Sequence, residues 1–238
     1  MAVPVLEMPR KLEHKHRMTI TRHPYLQTVL QRIERAAISA DRKASEITLV
    51  AVSKTFAADD ILPVIHAGQA NFGENRVQET VAKWPALISQ HPHIKLHLIG
   101  PLQTNKVAEA VRHFHTIHTI DRTSVARVIA LETVKQEKQL DLFIQVNTGD
   151  EAKKSGIAVD EADRFIEECR NTHKLLIAGL MCIPPLQEPA EKHFDLLARI
   201  AKRNSLRNLS MGMSGDFELA IQYGATHVRV GSAIFGTR

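Results

Sequence analysis

Apolar runs of strand length alternate with amphipathic stretches along most of this 238-residue chain. The first run, residues 47–52, is rich in β-branched residues and lacks polar alternation, which is typical of a strand buried on both faces in a parallel sheet. Seven further strands are predicted at fairly even spacing, at residues 70–72, 94–99, 116–120, 142–146, 176–181, 208–210 and 226–230.

Helical patterns fill the intervals between these strands. Helices are predicted at 24–43, 59–67, 160–171, 189–203 and 215–223, with a closing turn or short helix at 231–235. Three more are predicted with one end defined: a helix that ends at Trp84, one that begins at about Thr104, and one that Asp121 caps. Eight consecutive βα units predict an α/β protein, a single (β/α)8 barrel with an extra N-terminal helix, for which about 250 residues is typical. A doubly wound open sheet is the alternative, although it would not need eight evenly spaced units.

The two ends and the cysteines bear on domain organisation and location. Residues 1–18 lack periodicity and are predicted to be a flexible extension, with residues 19–238 forming the barrel. They contain no hydrophobic signal core, and no apolar run approaches the about 18 residues of a membrane span. Cys169 and Cys182 form neither a disulfide framework nor a CxxC motif. We therefore expect a cytoplasmic protein without membrane association.

The net charge of +5 does not by itself indicate a nucleic-acid-binding protein. Residues 1–43 hold nine Lys and Arg against four Asp and Glu, whereas the rest of the chain carries 22 of each sign. The basic excess thus belongs to the N-terminal segment, and aromatic residues make up only 5%. Without a basic face interleaved with aromatic residues, no nucleic-acid partner is expected.

Lys54 directly follows the first apolar strand, at the end of the strand where α/β folds place their chemistry. A lysine at this position can lose solvation and attack a carbonyl as the free amine. Most lysines at strand ends are simply solvated, so the position of Lys54 alone favours a solvated lysine over one that forms a Schiff base.

Two segments of small residues follow the last two predicted strands. Ser210–Asp216 reads SMGMSGD, and Gly231–Gly236 reads GSAIFG. Backbone N–H groups at helix starts bind phosphate, and barrels commonly hold phosphate between their seventh and eighth loops. Capping of the helices by Ser214 and Ser232 explains either segment alone. Both segments together make a phosphate site an equally good explanation.

Arg229 lies within the apolar eighth strand and needs a partner there, because an unpaired buried charge is costly. An outward Arg229 would lie between helices. An inward Arg229 would place a permanently charged donor in the barrel mouth. The pattern leaves both orientations open.

Six motifs carry a resemblance to a known family. They are AVSKTF (51–56), FGENRVQE (72–79), HLIGPLQTNK (97–106), KSGI (154–157), SMGMSGDFELAI (210–221) and RVGSAIFG (229–236). From about residue 25 onward, the chain resembles the YggS/PROSC family of pyridoxal-5′-phosphate (PLP) homeostasis proteins, which are similar to the barrel domain of alanine racemase. The family usually has W-H-F around the histidine of the third strand, whereas Leu96 and Leu98 flank His97 here.

The resemblance implies PLP as the cofactor and seven residues that bind it: Lys54, Asn75, Met213, Ser214, Arg229, Gly231 and Ser232. Lys54 would form the internal aldimine, and Arg229 would face the pyridine nitrogen. The phosphate would lie against Ser214 and the backbone around Gly231 and Ser232. Asn75 would line the cofactor side of the second loop. No catalytic and no metal-binding residue is implied.

Two features argue against catalytic turnover. An arginine at the pyridine nitrogen keeps that nitrogen unprotonated, which makes the ring a poorer electron sink. Alanine racemase supplies a second base, a tyrosine from a separate β domain, whereas Tyr25 and Tyr223 are predicted here to be packing residues. His97 is the best remaining candidate for a second base, but a hydrogen-bonded structural histidine is the favoured interpretation.

The leading interpretation is a monomeric PLP-binding protein of intracellular PLP (vitamin B6) homeostasis, without significant turnover. It would buffer PLP, sequester it or deliver it to PLP-dependent apo-enzymes. Two alternatives stay open. One is a PLP-dependent racemase or transaminase acting on small amino acids, and the other is a cofactor-free Schiff-base aldolase that uses Lys54.

Overall fold

Eight parallel strands close into a barrel in the computed structural model, which describes residues 23–152 and 154–236. The barrel strands are β1 (Thr48–Val52), β2 (Asn71–Glu74), β3 (Lys95–Leu98), β4 (Thr116–Ile120), β5 (Asp141–Asn147), β7 (Ile177–Met181), β8 (Asn208–Ser210) and β9 (His227–Val230). Each pairs with its neighbours in chain order, and the β1–β9 pairing completes the ring. A two-residue strand, β6 (Ile157–Ala158), pairs with the end of β5 outside the ring. The predicted (β/α)8 barrel is confirmed, and the open sheet is wrong.

Helices follow the strands around the barrel. They are α1 (Pro24–Ser39), α2 (Ala58–His66), α3 (Val77–Gln90), α4 (Val107–His113), α5 (Thr123–Lys135), α6 (Ala162–Asn171), α7 (Ala190–Arg203), α8 (Phe217–Gln222) and α9 (Ser232–Phe235). The prediction ended α3 too early, because the helix continues through Pro85. Asp121 is not the cap of α5, since Arg122 is at the N-cap position and the Asp121 carboxylate pairs with the Arg122 guanidinium. The predicted extension, residues 1–18, lies outside the described residues.

The extra helix α1 closes the outer layer beside the last two helices. Its apolar face repeats at helical spacing and buries Leu26, Val29 and Ile33 against α8 and α9. Arg32 extends this contact, because its guanidinium lies 4.6 Å from the centre of the Phe217 ring and also pairs with a carboxylate of α8.

Strand register determines which side chains face the barrel interior. Val50 lies beside Arg229 and Val52 beside Gly73, whereas Ala51 pairs with Phe72 on the alternate face. The same alternation places polar or ionisable side chains inside the barrel, among them Asn71, His97, His118, Gln145, Ser210, His227 and Arg229. The interior is therefore unusually polar below the carboxyl ends of the strands, while the apolar core lies mainly between the strands and the helices.

Candidate cofactor site

The seven predicted binding residues lie in one sector of the barrel. Lys54 and Asn75 follow β1 and β2, Met213 and Ser214 follow β8, and Gly231 and Ser232 follow β9, with Arg229 inside β9. These four strands are consecutive neighbours in the ring, in the order β8, β9, β1, β2. Because all the strands are parallel, their carboxyl ends meet at the same rim. The fold thus brings together the residues that the motifs suggested.

Lys54 is exposed on a tight turn beyond the last residue of β1. Thr55 adopts a left-handed backbone conformation with φ of 69°, which is uncommon for a residue branched at Cβ. The Phe56 N–H closes the turn on the Ser53 carbonyl at 3.2 Å, and the Phe56 ring stacks on Phe235 with centroids 4.9 Å apart. The turn that carries Lys54 is therefore packed against α9, which begins at the second small-residue loop.

A buried ionic cluster supports this turn from the outer side of the strand, and sequence reasoning missed it. Lys83 Nζ, on α3, donates to the carbonyl oxygens of Ser53 at 3.0 Å and Phe56 at 3.1 Å, and it lies 2.7 Å from Glu74 Oε1. The same Glu74 oxygen accepts from Ser53 Oγ at 2.7 Å and Trp84 Nε1 at 2.9 Å. Glu74 is fully buried. A glutamate two residues after a predicted strand, followed nine residues later by a lysine on a predicted helix, was the available signal.

The loop after β8 is shaped to leave backbone N–H groups available. Gly212 has φ of 90°, and a Cβ there would lie 2.6 Å from the Ala220 Cβ, so only glycine fits. Asp216 Oδ1 accepts from the Met213 N–H at 2.6 Å and ties the loop back. Across residues 23–152 and 154–236, no hydrogen bond to protein is recorded for the backbone N–H groups of Ser214, Gly215 and Ser232. These groups can receive an anion such as phosphate.

Arg229 points into the barrel, which decides between the two orientations that the sequence left open. It is 4% exposed. Its Nη1 donates to Ser210 Oγ at 2.7 Å, and its Nη2 donates to the Cys182 carbonyl at 2.9 Å. Burial lowers the pKa of Arg229, and the nearby Cys182 and Asp216 oppose that effect. A cationic donor is thus fixed beneath the rim, between the strands that carry the small-residue loops.

The candidate second bases are poorly suited to proton transfer at the rim. His97 Nδ1 lies 3.0 Å from His118 Nε2, and its other ring nitrogen lies 3.1 Å from Asn71 Oδ1. Burial above all, followed by the neighbouring His227, His115 and Lys95, lowers the pKa of His97 to about 3. His97 is therefore the structural histidine that the sequence favoured.

The tyrosines lie away from the rim. Tyr25 is on α1 and is 67% exposed, so its prediction as a packing residue is wrong. The helical pattern of α1 turns its buried face toward Leu26 and Val29 instead. Tyr223 ends α8 and packs partly against the core, as predicted.

Other parts of the rim shape the space around the site. Asn75 is half-buried, and Gly100 approaches it so closely that a Cβ would lie 2.2 Å from the Asn75 carbonyl oxygen. A cavity of about 200 Å³ lies across the rim, lined by residues that include Gln145, Lys154 and Ile183. Cys182 is buried, and burial raises the pKa of its thiol to about 12, so it is the inert small residue that was predicted.

Comparison with known proteins identifies the family. The family model for alanine racemase, N-terminal domain, matches residues 28–238. The pyridoxal phosphate homeostasis protein of Vibrio cholerae serotype O1 is 40% identical over 223 residues, covering 90% of this chain and 94% of the relative. The protein of the same name from Escherichia coli K12 is 38% identical over 222 residues, covering 90% of this chain and 95% of the relative. The chain belongs to the pyridoxal phosphate homeostasis family.

Solved structures agree with this assignment. PipY of Synechococcus elongatus PCC7942 with PLP bound is 33% identical, with a TM-score of 0.73, and the match covers 87% of this chain and all of PipY. Alanine racemase of Clostridium difficile 630 has a TM-score of 0.67 at 12% identity over 57% of that protein, a likeness that shows the fold alone. PipY and this chain thus share the barrel over 87% of this chain and the whole of PipY.

The described residues also bear on two other kinds of site. No helix there is both long and apolar enough to cross a membrane. Within residues 23–152 and 154–236, no group of three or more His, Cys, Asp or Glu side chains is placed to hold a metal ion. The candidate site at the rim is accordingly described by its lysine, its arginine and its backbone N–H groups.

Proposed function

We propose that this protein binds PLP at the rim sector formed by β8, β9, β1 and β2 and serves intracellular PLP homeostasis. The observation that carries the proposal is the convergence of an amine, two loops with available N–H groups and a buried arginine on four adjacent strands. PipY, which was solved with PLP bound, supports the choice of ligand.

The residues present fit the chemical parts of PLP. When bound, PLP supplies an aldehyde that condenses with a primary amine and a pyridine ring that can accept electron density. Lys54 provides the amine. The N–H groups of Ser214, Gly215 and Ser232, together with the Ser214 hydroxyl, would hold the phosphate. Met213 and Gly231 belong to the same two loops, and Asn75 would line the cofactor side of the loop after β2.

Arg229 sets the electronic character of the site. A carboxylate at this position would stabilise a protonated pyridine nitrogen, whereas the guanidinium can only donate hydrogen bonds. A pyridine nitrogen held beside Arg229 would therefore accept a hydrogen bond from the guanidinium. This arrangement stabilises binding while leaving the ring a weak electron sink, which favours a carrier over an enzyme.

The candidates for a second base that the sequence suggested are not placed at the rim. His97 is buried and bonded through both ring nitrogens, and Tyr25 is on the outer helix α1. We therefore propose that amino acids are not turned over at a useful rate. The exposure of Lys54 and Ser232 suits a site that exchanges its ligand with the surroundings. On this proposal a cytoplasmic monomer buffers PLP or delivers it to PLP-dependent apo-enzymes.

Borohydride reduction followed by peptide mapping tests the binding site. The phosphopyridoxyl group should be recovered on Lys54 and should be absent from Lys54→Ala. Lys106 and Lys154 are matched controls because both lie at the same rim and pair with neighbouring glutamates. Recovery of the label chiefly on either control would overturn the assignment. Absence of bound PLP would instead favour the cofactor-free aldolase.

Incubation of L-alanine with the PLP-loaded protein in deuterated water tests the carrier role. Deuterium entry at the α-carbon should be no faster than with free PLP. Formation of D-alanine at about one turnover per second or faster lies in the ordinary enzyme range and would identify a racemase instead.

A further inference from the structure

A continuous chain of hydrogen bonds crosses the barrel interior and ends on Arg229. Asn71 Oδ1 lies 3.1 Å from His97 Nε2, and His97 Nδ1 lies 3.0 Å from His118 Nε2. His118 Nδ1 lies 2.8 Å from Ser210 Oγ, which accepts from Arg229 Nη1 at 2.7 Å. The His118 to Ser210 bond joins β4 to β8, which are not neighbours in the ring, so it spans the interior.

The chemistry of the end groups gives this chain one direction. The amide oxygen of Asn71 only accepts, so His97 must carry its proton on Nε2 and accept at Nδ1. His118 must then donate from Nε2 and accept at Nδ1, which leaves the Ser210 hydroxyl as the donor to His118. In the reverse direction both His118 and Arg229 would donate to Ser210, and the hydroxyl hydrogen would lack the acceptor that it has in the forward direction.

Both histidines are held neutral, which is the condition for a single direction. Burial lowers the pKa of His118 well below its usual value, and the nearby His97, His227 and Arg229 act in the same sense. The pKa of His97 is lowered to about 3, and burial is again the largest cause. A neutral imidazole has one N–H and one acceptor nitrogen. Each ring therefore donates one hydrogen bond in the chain and accepts one, and it cannot donate from both nitrogens.

Packing fixes the ring that links the two halves of the chain. His118 stacks on Phe143 with centroids 4.7 Å apart and planes 6° from parallel. The edge contact between Phe143 and His227, at 5.1 Å, holds Phe143 in turn. A flip of the His118 ring would put carbon atoms where its two nitrogens now lie, and the ring could not turn without breaking this stack.

We infer that His97, His118 and Ser210 are positioning residues, which form a one-way hydrogen-bond chain that orients Arg229 for the cofactor. The Ser210 proton is committed to His118, so the Ser210 oxygen faces Arg229 as an acceptor. With Nη1 held by Ser210 and Nη2 held by the Cys182 carbonyl, the guanidinium plane is fixed and its remaining N–H groups are available to a ligand. The direction of donation along these hydrogen bonds is independent of any ligand, whereas their role in orienting Arg229 for PLP rests on the proposed function.

Nitrogen NMR of the labelled protein without added PLP tests the direction. Long-range ¹H–¹⁵N spectra distinguish the two neutral tautomers, and His118→Phe, which retains a ring to stack on Phe143, assigns the His118 signals. Both His97 and His118 should be protonated at Nε2. Protonation of either at Nδ1, or a charged ring at neutral pH, would overturn the inference.

Ser210→Ala tests the positioning role, with Thr119→Val as the matched control. Thr119 is a buried neighbour of His118 whose hydroxyl donates to the Gly100 carbonyl at 2.8 Å, outside the chain. Ser210→Ala should weaken PLP binding about tenfold, as expected for loss of one hydrogen bond to a charged group, and should shift the absorption spectrum of bound PLP. Thr119→Val should change neither, and Ser210→Cys should lie between Ser210→Ala and the parent.

The outcomes separate the two levels of the inference. Equal PLP affinity and spectra for Ser210→Ala and Thr119→Val would exclude a positioning role. If the parent protein binds no PLP, the proposed function fails. The tautomers of His97 and His118 would still test the direction of the hydrogen-bond chain. If Ser210→Ala does not fold, His118→Phe replaces it, and an unchanged spectrum of its bound PLP would count against positioning.

Discussion

Replacing Lys83 with methionine should be one of the more damaging changes away from the rim. Lys83 is 11% exposed, and its ammonium is the cation beside Glu74, whose side chain is fully buried. Methionine retains much of the length and apolar body of lysine but removes the charge. The change leaves the Glu74 carboxylate without its counterion, and it removes the Lys83 donor from the Ser53 and Phe56 carbonyls of the turn bearing Lys54.

The loss of stability in Lys83→Met depends on the hydrogen bonds that the Glu74 carboxylate retains. Ser53 and Trp84 still donate to Oε1, but Oε2 already has no hydrogen-bond partner among the residues that the structure describes. Removing one member of such a buried pair typically costs about 3–5 kcal/mol. Glu74→Gln should cost less, about 1–3 kcal/mol, because Lys83 keeps its two carbonyl acceptors. The double variant removes both charges, so its loss should be below the sum of the two single losses by about 2 kcal/mol.

Urea unfolding of the parent, both single variants and the double variant measures these free energies. Trp84, the single tryptophan, donates to Glu74 and gives a local fluorescence signal alongside circular dichroism. Lys135→Met is the control, because Lys135 is 73% exposed and pairs with Glu132 at the surface, where about 0–1 kcal/mol is expected. PLP content of folded Lys83→Met should fall as the turn loosens. A loss below about 1 kcal/mol for Lys83→Met, or strict additivity in the double variant, would refute this reasoning.

Three further predictions follow from the site and the interior. Stability should fall as the pH drops below about 6.5, because His97, His118 and His227 protonate in the unfolded chain while the folded-state pKa values of His97 and His227 are about 3 and about 4. Each histidine then costs up to about 1.4 kcal/mol per pH unit until its folded-state pKa is reached, and a melting temperature constant from pH 7 to pH 5 would contradict this. Ser214→Ala should weaken PLP binding by about 1–3 kcal/mol and leave the weaker binding of pyridoxal unchanged, as measured by calorimetry, whereas equal losses for both ligands would remove Ser214 from the phosphate site. Gly212→Ala should lower both stability and PLP content, because the added methyl group meets Ala220 in a left-handed backbone, and unchanged thermal unfolding would show that the loop can relax.

Local signals in the sequence were enough to predict the barrel and to place three of the proposed binding residues at one rim. The run ending at Lys54 and the small residues after β8 and β9 are readable because strand burial and helix starts depend on neighbouring residues. Once the strands are known to be parallel, their carboxyl ends must share a rim. Lys54, Ser214 and Ser232 could therefore be placed together before any coordinates.

Contacts between distant strands were decided only by the tertiary structure. Arg229 could have faced either side of β9, because alternation along one strand does not say which face the closed ring turns inward. Ser210 and His118 are 92 residues apart, and their bond depends on the register of every strand between them. Glu74 and Lys83 likewise meet because α3 packs its inner face on β2. The sequence determined where the reactive groups emerge at the rim, whereas ring closure decided which polar groups share the low-dielectric interior and hence what holds them in place.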